Sequence, residues 1–212
     1  MPLHLLETGA SAGLNLCWDR FAYRLGPYRW HGIDPVLTLD VDWRGAAPAL
    51  DAPILVAGRH ACDRRPVDLA DPEARLRLQG YVWPDQVDSL AALRAGIEVA
   101  IRLGFKVDKS DALAWTADRL ALRPSQAATV IYHSAVLQYF DREERRRFAG
   151  MLETAGRDST PQNPLAWLAF EQTDPDKNLE LRLTYWPGGE HRRLAVAQPH
   201  GRWIEWLGQS DG

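Results

Sequence analysis

The residues of this 212-residue chain best suited to chemistry come early, in Glu7-Thr8-Gly9-Ala10-Ser11-Ala12-Gly13. Leu3, Leu5 and Leu6 before them suit a buried strand, and Leu14, Cys17 and Phe21 behind them recur at helical spacing. That is a strand, a tight glycine turn and a helix start. At such a junction in an open α/β sheet the absent side chains let a nucleotide-like ligand approach the backbone, and the helix's first N–H groups are unpaired. The competing reading is a turn that needs glycine for φ > 0 alone.

His133 follows the β-branched run Ala128 to Tyr132. An imidazole at the carboxyl end of a strand can take a proton from a substrate hydroxyl or amine. The alternative is a buried histidine hydrogen-bonded to the next loop. Tyr132 and Ser134 beside it either position a substrate or simply end the strand. Trp83, Asp85 and Gln86 stand at the head of a long amphipathic segment, with Asp85 and Gln86 just inside its helix. There they either satisfy first-turn N–H groups or touch a ligand. His60-Ala61-Cys62-Asp63 has the residue types of a metal site, but no second cluster at zinc-like spacing accompanies it, so no metal is expected. Arg59 either meets an acidic substrate or is neutralised by Asp63 or Asp68. Ser134 lacks the surrounding Gly-x-Ser-x-Gly of a hydrolase elbow.

Composition narrows the classes. A hydrophobic share of 46% with 25% charged residues suits one globular domain with a substantial core. The net charge of -3 argues against broad nucleic-acid or anionic-membrane binding, and Arg142, Arg145, Arg146 and Arg147 read as a solvated helix face beside Asp141, Glu143 and Glu144. With no apolar run long enough to span a bilayer and no basic-then-apolar leader, the reading is a cytoplasmic protein. Cys17 and Cys62 are too few for a disulfide framework and read as reduced core thiols. Nine tryptophans either fill the core or line an apolar pocket. The oligomeric state is left open.

The elements that must hold these residues follow from pattern. Phe21 to Leu25 and Tyr28 to His31 flank Gly26-Pro27 as a hairpin, and Val36 to Trp43 alternates like a strand. Ile54 to Ala57 is a second buried strand running into Gly58 to Asp63. Asp71-Pro72 caps a short helix that Gly80 stops. Tyr81 to Gln86 opens the clearest helix, carrying Val87, Leu90, Leu93, Ile97 and Ile101 to a stop at Gly104. Phe105 to Val107 is a brief strand, Trp115 to Leu122 a helix or loop, and Ala128 to Tyr132 a buried strand. Asp141 and Glu144 form a capping box for a helix that Gly156 closes. Strands at Leu165 to Glu171, Leu179 to Trp186, Arg193 to Ala197 and Trp203 to Leu207 follow, with His200-Gly201 in a turn. Alternating strands and helices, then hairpins, predict a parallel sheet with an antiparallel end.

This order of elements and its loop residues resemble the class I S-adenosylmethionine-dependent methyltransferases. The resemblance implies a Rossmann-like α/β fold: a mostly parallel central sheet, antiparallel C-terminal strands and helices on both faces. It also implies a single domain over 1–212 with a β-hairpin insertion around 20–53, acting on a small-molecule substrate. Glu7, Gly9, Ser11 and Gly13 are similar to the first motif, whose backbone lies against the methionine part of S-adenosylmethionine. Asp63 stands where an acid takes the ribose hydroxyls, and Asp111-Ala112 where an acid and a small residue meet the adenine. His133 becomes the expected base, with Tyr132, Ser134, Trp83, Asp85 and Gln86 as substrate residues. Spacing alone leaves Asp40 or Asp42 as rival ribose acids, and Ser11 replaces a common middle glycine. There is also little room for the superfamily's usual helix between Glu171 and Leu179.

More narrowly, Glu7 to Leu16, Cys62 to Asp68, Tyr81 to Gln86, His133 to Tyr139 and Pro199 to Leu207 resemble an uncharacterised bacterial family, DUF2332. The family implies a further N-terminal region that this chain lacks. A methyltransferase-like scaffold that binds a nucleoside or a partner without turnover is the alternative function.

Overall fold

Short apolar runs build the centre of the sheet and charged hairpins build its flank. The computed structural model describes residues 1–172, 178–199 and 201–208. His200 lies outside them. The strands are β1 (Leu3–Thr8), β2 (Ala22–Leu25), β3 (Tyr28–His31), β4 (Thr38–Gly45), β5 (Val56–Asp63), β6 (Val107–Lys109), β7 (Ala128–Ser134), β8 (Leu165–Gln172), β9 (Leu179–Trp186), β10 (Glu190–Ala197) and β11 (Trp203–Trp206). The helices are α1 (Pro72–Gln79), α2 (Val87–Leu103), α3 (Ala112–Ala121) and α4 (Arg142–Arg157).

All described strands join one mostly parallel sheet in the order β3-β2-β4-β11-β10-β9-β8-β7-β1-β5-β6. The run β6-β5-β1-β7-β8 is parallel throughout. β9 and β10 then pair antiparallel, as the hairpin pattern predicts. Strand succession reverses direction between β1 and β7, which opens a crevice at their carboxyl ends.

Side-chain alternation in β1 explains why both faces are covered. Leu6 points into a core with Ile131, Trp115, Phe148 and Leu152, under α3 and α4. Leu5 points the other way, towards Leu16 and Ala61. On that side Cys17 and Phe21 also meet Val99 and Ala100 of α2. Both cysteines are free and buried. Asp141 accepts from the Glu144 N–H while the Glu144 side chain accepts from the Asp141 N–H, so α4 starts on a complete capping box.

Several elements differ from the sequence reading. The helix expected after the glycine turn is a 3-10 helix, Leu14–Arg20, because the chain must turn back at once into β2. β5 starts at Val56 and runs through Gly58 to Asp63, so the residues read as its following loop are strand. Gly58 fits there because the His4 imidazole occupies the space a Cβ would need, 2.5 Å away. α2 begins at Val87, leaving Asp85 in the preceding turn. His133 and Ser134 belong to β7 itself. α4 continues past Gly156 to Arg157; that glycine admits the Trp186 indole, 2.4 Å from where a Cβ would lie.

The hairpin β2–β3 and β4 are tied to the main sheet through β11, whose residues pair in parallel with Asp42 to Gly45. Trp43 stacks on Trp206 across that junction at 5.5 Å, and Trp18 stacks on Trp30 at 5.7 Å. These tryptophans pack the sheet's flank. Among the described residues no helix is long and apolar enough to cross a membrane.

Candidate functional site

β1 delivers Glu7 and Thr8 to the reversal point, and the chain then bends sharply. Gly9, Ser11 and Gly13 all have left-handed backbone, with φ of 67°, 53° and 71°. The Gly13 N–H closes the bend on the Ala10 carbonyl at 2.7 Å, and the Ala10 N–H donates to the Cys62 carbonyl at 3.0 Å. A Cβ on Gly9 would come 2.5 Å from Val136, and one on Gly13 would come 2.7 Å from Phe105. Both glycines are therefore required by packing as well as by φ. The outer faces of Gly9 and Ser11 remain exposed.

Asp63, at the end of the neighbouring β5, clamps the bend. Its Oδ2 accepts from the Ser11 N–H at 2.8 Å and its Oδ1 from the Arg65 N–H at 2.7 Å. Val67 donates to the Ser11 carbonyl at 3.0 Å, so the Ser11 backbone is satisfied on both sides and only its hydroxyl is left for a ligand. Each Asp63 oxygen keeps a further lone pair. Asp111 caps α3 through the Leu113 and Ala114 N–H groups, and its other oxygen meets Arg64 at 2.8 Å. That guanidinium holds the Asp111 carboxyl below the usual range, and burial works against it. Ala112 beside it is buried in the core.

Glu7 sits behind the bend at 2% exposure. Asn15 donates to its Oε1 at 2.8 Å, while Oε2 is buried with no hydrogen-bond partner. Burial pushes the carboxyl up to about 7, against the Asn15 hydrogen bond and the nearby Tyr132 hydroxyl, with Asp63 adding to the rise. The half-buried Tyr132 approaches from β7, and its hydroxyl also lacks a bond of good geometry.

His133 is placed differently from the sequence expectation. Its ring is 1% exposed, Nδ1 lies 2.6 Å from Glu171 Oε1, and Nε2 accepts from the Trp167 indole N–H at 2.9 Å. With both nitrogens engaged inside the core against Phe148, the ring has no lone pair to offer a substrate. The general-base assignment is corrected to a structural one. Glu171, which sequence reasoning missed, also accepts from the Val136 and Leu137 N–H groups and so fixes the loop after β7. Its signal was a lone acid near the end of the apolar strand Leu165 to Phe170.

The other expected substrate residues separate. Ser134 lines a groove of about 1440 Å³, with Trp167, Glu171 and residues of β9 and β10. Trp83 is 73% exposed, and neither it nor Asp85 nor Gln86 lines that groove. Gln86 stands at the N-cap of α2, where its carbonyl accepts from the Leu90 N–H but its side chain makes no cap bond. A second cavity of about 420 Å³ lies beside Ala12 between Val67 and Phe105. Asp40 and Asp42 lie on β4, with β11, β10, β9, β8 and β7 between them and β1; they pair with Arg24 and Arg44. Distance removes both as rivals to Asp63. Arg59 is not neutralised by Asp63 or Asp68: it reaches Asp19 at 2.6 Å and the Leu16 carbonyl, tying the 3-10 helix to β5. His60 packs edge-on against His4 at 4.9 Å.

No curated protein and no solved structure matches the chain. Residues 1–206 match a family model described as "Uncharacterized protein conserved in bacteria (DUF2332)", and the chain belongs to that family.

Proposed function

We propose that this protein binds S-adenosylmethionine over the Gly9 to Gly13 bend and transfers its methyl group to a small molecule, on a Rossmann-like class I methyltransferase fold. The observation that carries the reading is the left-handed bend standing at the reversal point of five parallel strands, with Asp63 and Asp111 supplied by the next two strand ends. The residues fit an adenosyl group. Gly9 and Ser11 leave the bend's outer face open, and Glu7 Oε2 is a buried acceptor without a partner beside it. Asp63 would receive the ribose hydroxyls on its remaining lone pairs, and Asp111-Ala112 would stand beside the adenine. When bound, the cofactor would supply an electrophilic methyl group.

The chain's own contribution is positioning. Holding donor and acceptor in line can supply roughly 7–11 kcal/mol of barrier reduction without a reactive side chain. That suits a site in which His133 is sealed by Glu171 and Trp167. The same sealing, with the inward bonds of Asp63, favours the second reading: a nucleoside-binding scaffold without turnover.

Thermal unfolding with S-adenosylmethionine, S-adenosylhomocysteine and NAD in parallel tests the proposal. The expected result is a rise in Tm with the first two and none with NAD. A shift with NAD alone would overturn the methyl-donor assignment. Formation of S-adenosylhomocysteine from the donor in the presence of cell extract separates the enzyme from the scaffold.

A further inference from the structure

We propose that the groove over β8, β9 and β10 binds a small organic anion with an apolar body, the class from which the methyl acceptor is drawn; the acceptor role rests on the methyl-transfer reading, the anion site does not. Register puts Trp167, Ala169 and Glu171 of β8 on one face with Arg182 and Thr184 of β9 and Arg193 of β10. α4 covers β7 and β8 on that face but leaves the groove open beyond, with Arg145 lining it. The loop after β7 has Val136 packed against Gly9, while its Ser134, Leu137 and Gln138 line the groove, so the loop is the wall between the bend and the groove.

Among the described residues Arg145, Arg182, Arg192 and Arg193 line the groove, and Glu171 is the one carboxylate beside them. Glu171 is turned to His133 and the Val136 and Leu137 N–H groups, so it does not neutralise them. Glu180 is shared between Arg182 at 2.6 Å and Arg193 at 3.1 Å, and Glu190 pairs with Arg192. Arg145 donates Nε–H to the Phe140 carbonyl at 3.1 Å and has no carboxylate partner among the described residues. Three of these arginines are thus paired with carboxylates, and among the described residues Arg145 is the one left to meet an anion from outside. Guanidinium groups recognise carboxylate and phosphate through paired N–H donors. Leu137 and Trp167 supply apolar wall, and the volume exceeds that of a bare ion.

Calorimetric titration of the full chain with phenylacetate, phenyl phosphate and neutral phenylacetamide tests this. The expected result is saturable binding of an anion and at least about tenfold weaker binding of the amide. The stronger of the two anions assigns a carboxylate or a phosphate. Arg145→Gln breaks no ion pair among the described residues; it should weaken the anion about tenfold and leave S-adenosylhomocysteine binding unchanged. Equal affinity for the three probes, no saturation, or an unaltered anion affinity in Arg145→Gln overturns the anion site. Anion binding without S-adenosylhomocysteine binding upholds the site and overturns the acceptor role.

Discussion

Two buried glutamates end strands on opposite faces of the sheet, and they are used in opposite ways. Glu171 on β8 accepts from His133 and from two loop N–H groups, so its charge is spent on holding the chain after β7 in place. Glu7 on β1 takes one hydrogen bond from Asn15, keeps an oxygen without a partner, and is pushed up to about 7 by burial. The carboxylate with three donors on one oxygen holds a loop, whereas the one with an oxygen left over and a raised pKa stands at the strand reversal.

The comparison breaks most visibly at Glu171. Glu171→Ala strips the acceptor from three donors in the core, and urea unfolding should record a loss of about 3–5 kcal/mol. A loss below about 1 kcal/mol would mean the loop is held by something else.

Glu7→Gln should act in the other direction and depend on pH. The folded carboxyl holds its proton more tightly than the unfolded one, so the contribution of Glu7 to native stability is greatest below about 4.5 and falls as pH rises through about 7. Removing the charge relieves that penalty. At pH 8 the variant should be the more stable by up to about 3 kcal/mol, and by pH 4 the advantage should vanish. A pH-independent difference between the two proteins would contradict the assignment. Smaller still, Trp167→Phe leaves His133 Nε2 without its donor while keeping a ring against Phe148; a loss of about 1 kcal/mol by the same unfolding measurement would sharpen the structural reading of that imidazole. Asp40→Ala, on the far flank, should leave S-adenosylhomocysteine affinity unchanged by calorimetry.

Much of the secondary structure was legible because its signals are local. Asp71-Pro72, the Asp141 and Glu144 box and Gly104 mark helix ends through bonds within a few residues. The glycine bend and the positions of Asp63 and Asp111 at neighbouring strand ends were also readable. What escaped depends on contacts far apart in the chain. Gly58 looks like a breaker until His4 is seen to fill its missing side chain. β4 gives no hint that its partner is β11. His133 could be read as a base or as a buried histidine because Glu171 and Trp167, which claim both its nitrogens, lie more than thirty residues away. The arginine-lined groove was hidden for the same reason, since Arg145, Arg182 and Arg193 come together only after β8, β9 and β10 pair beside α4.

The claim on which the functional account rests is that the bend between Gly9 and Gly13, with Asp63, receives an adenosyl group. Calorimetric titration of S-adenosylhomocysteine into the native protein and Asp63→Ala tests it most directly. The account predicts one-to-one binding to the native chain and at least about tenfold weaker binding to the variant. Absence of binding to the native chain, or equal affinity in both, would contradict it.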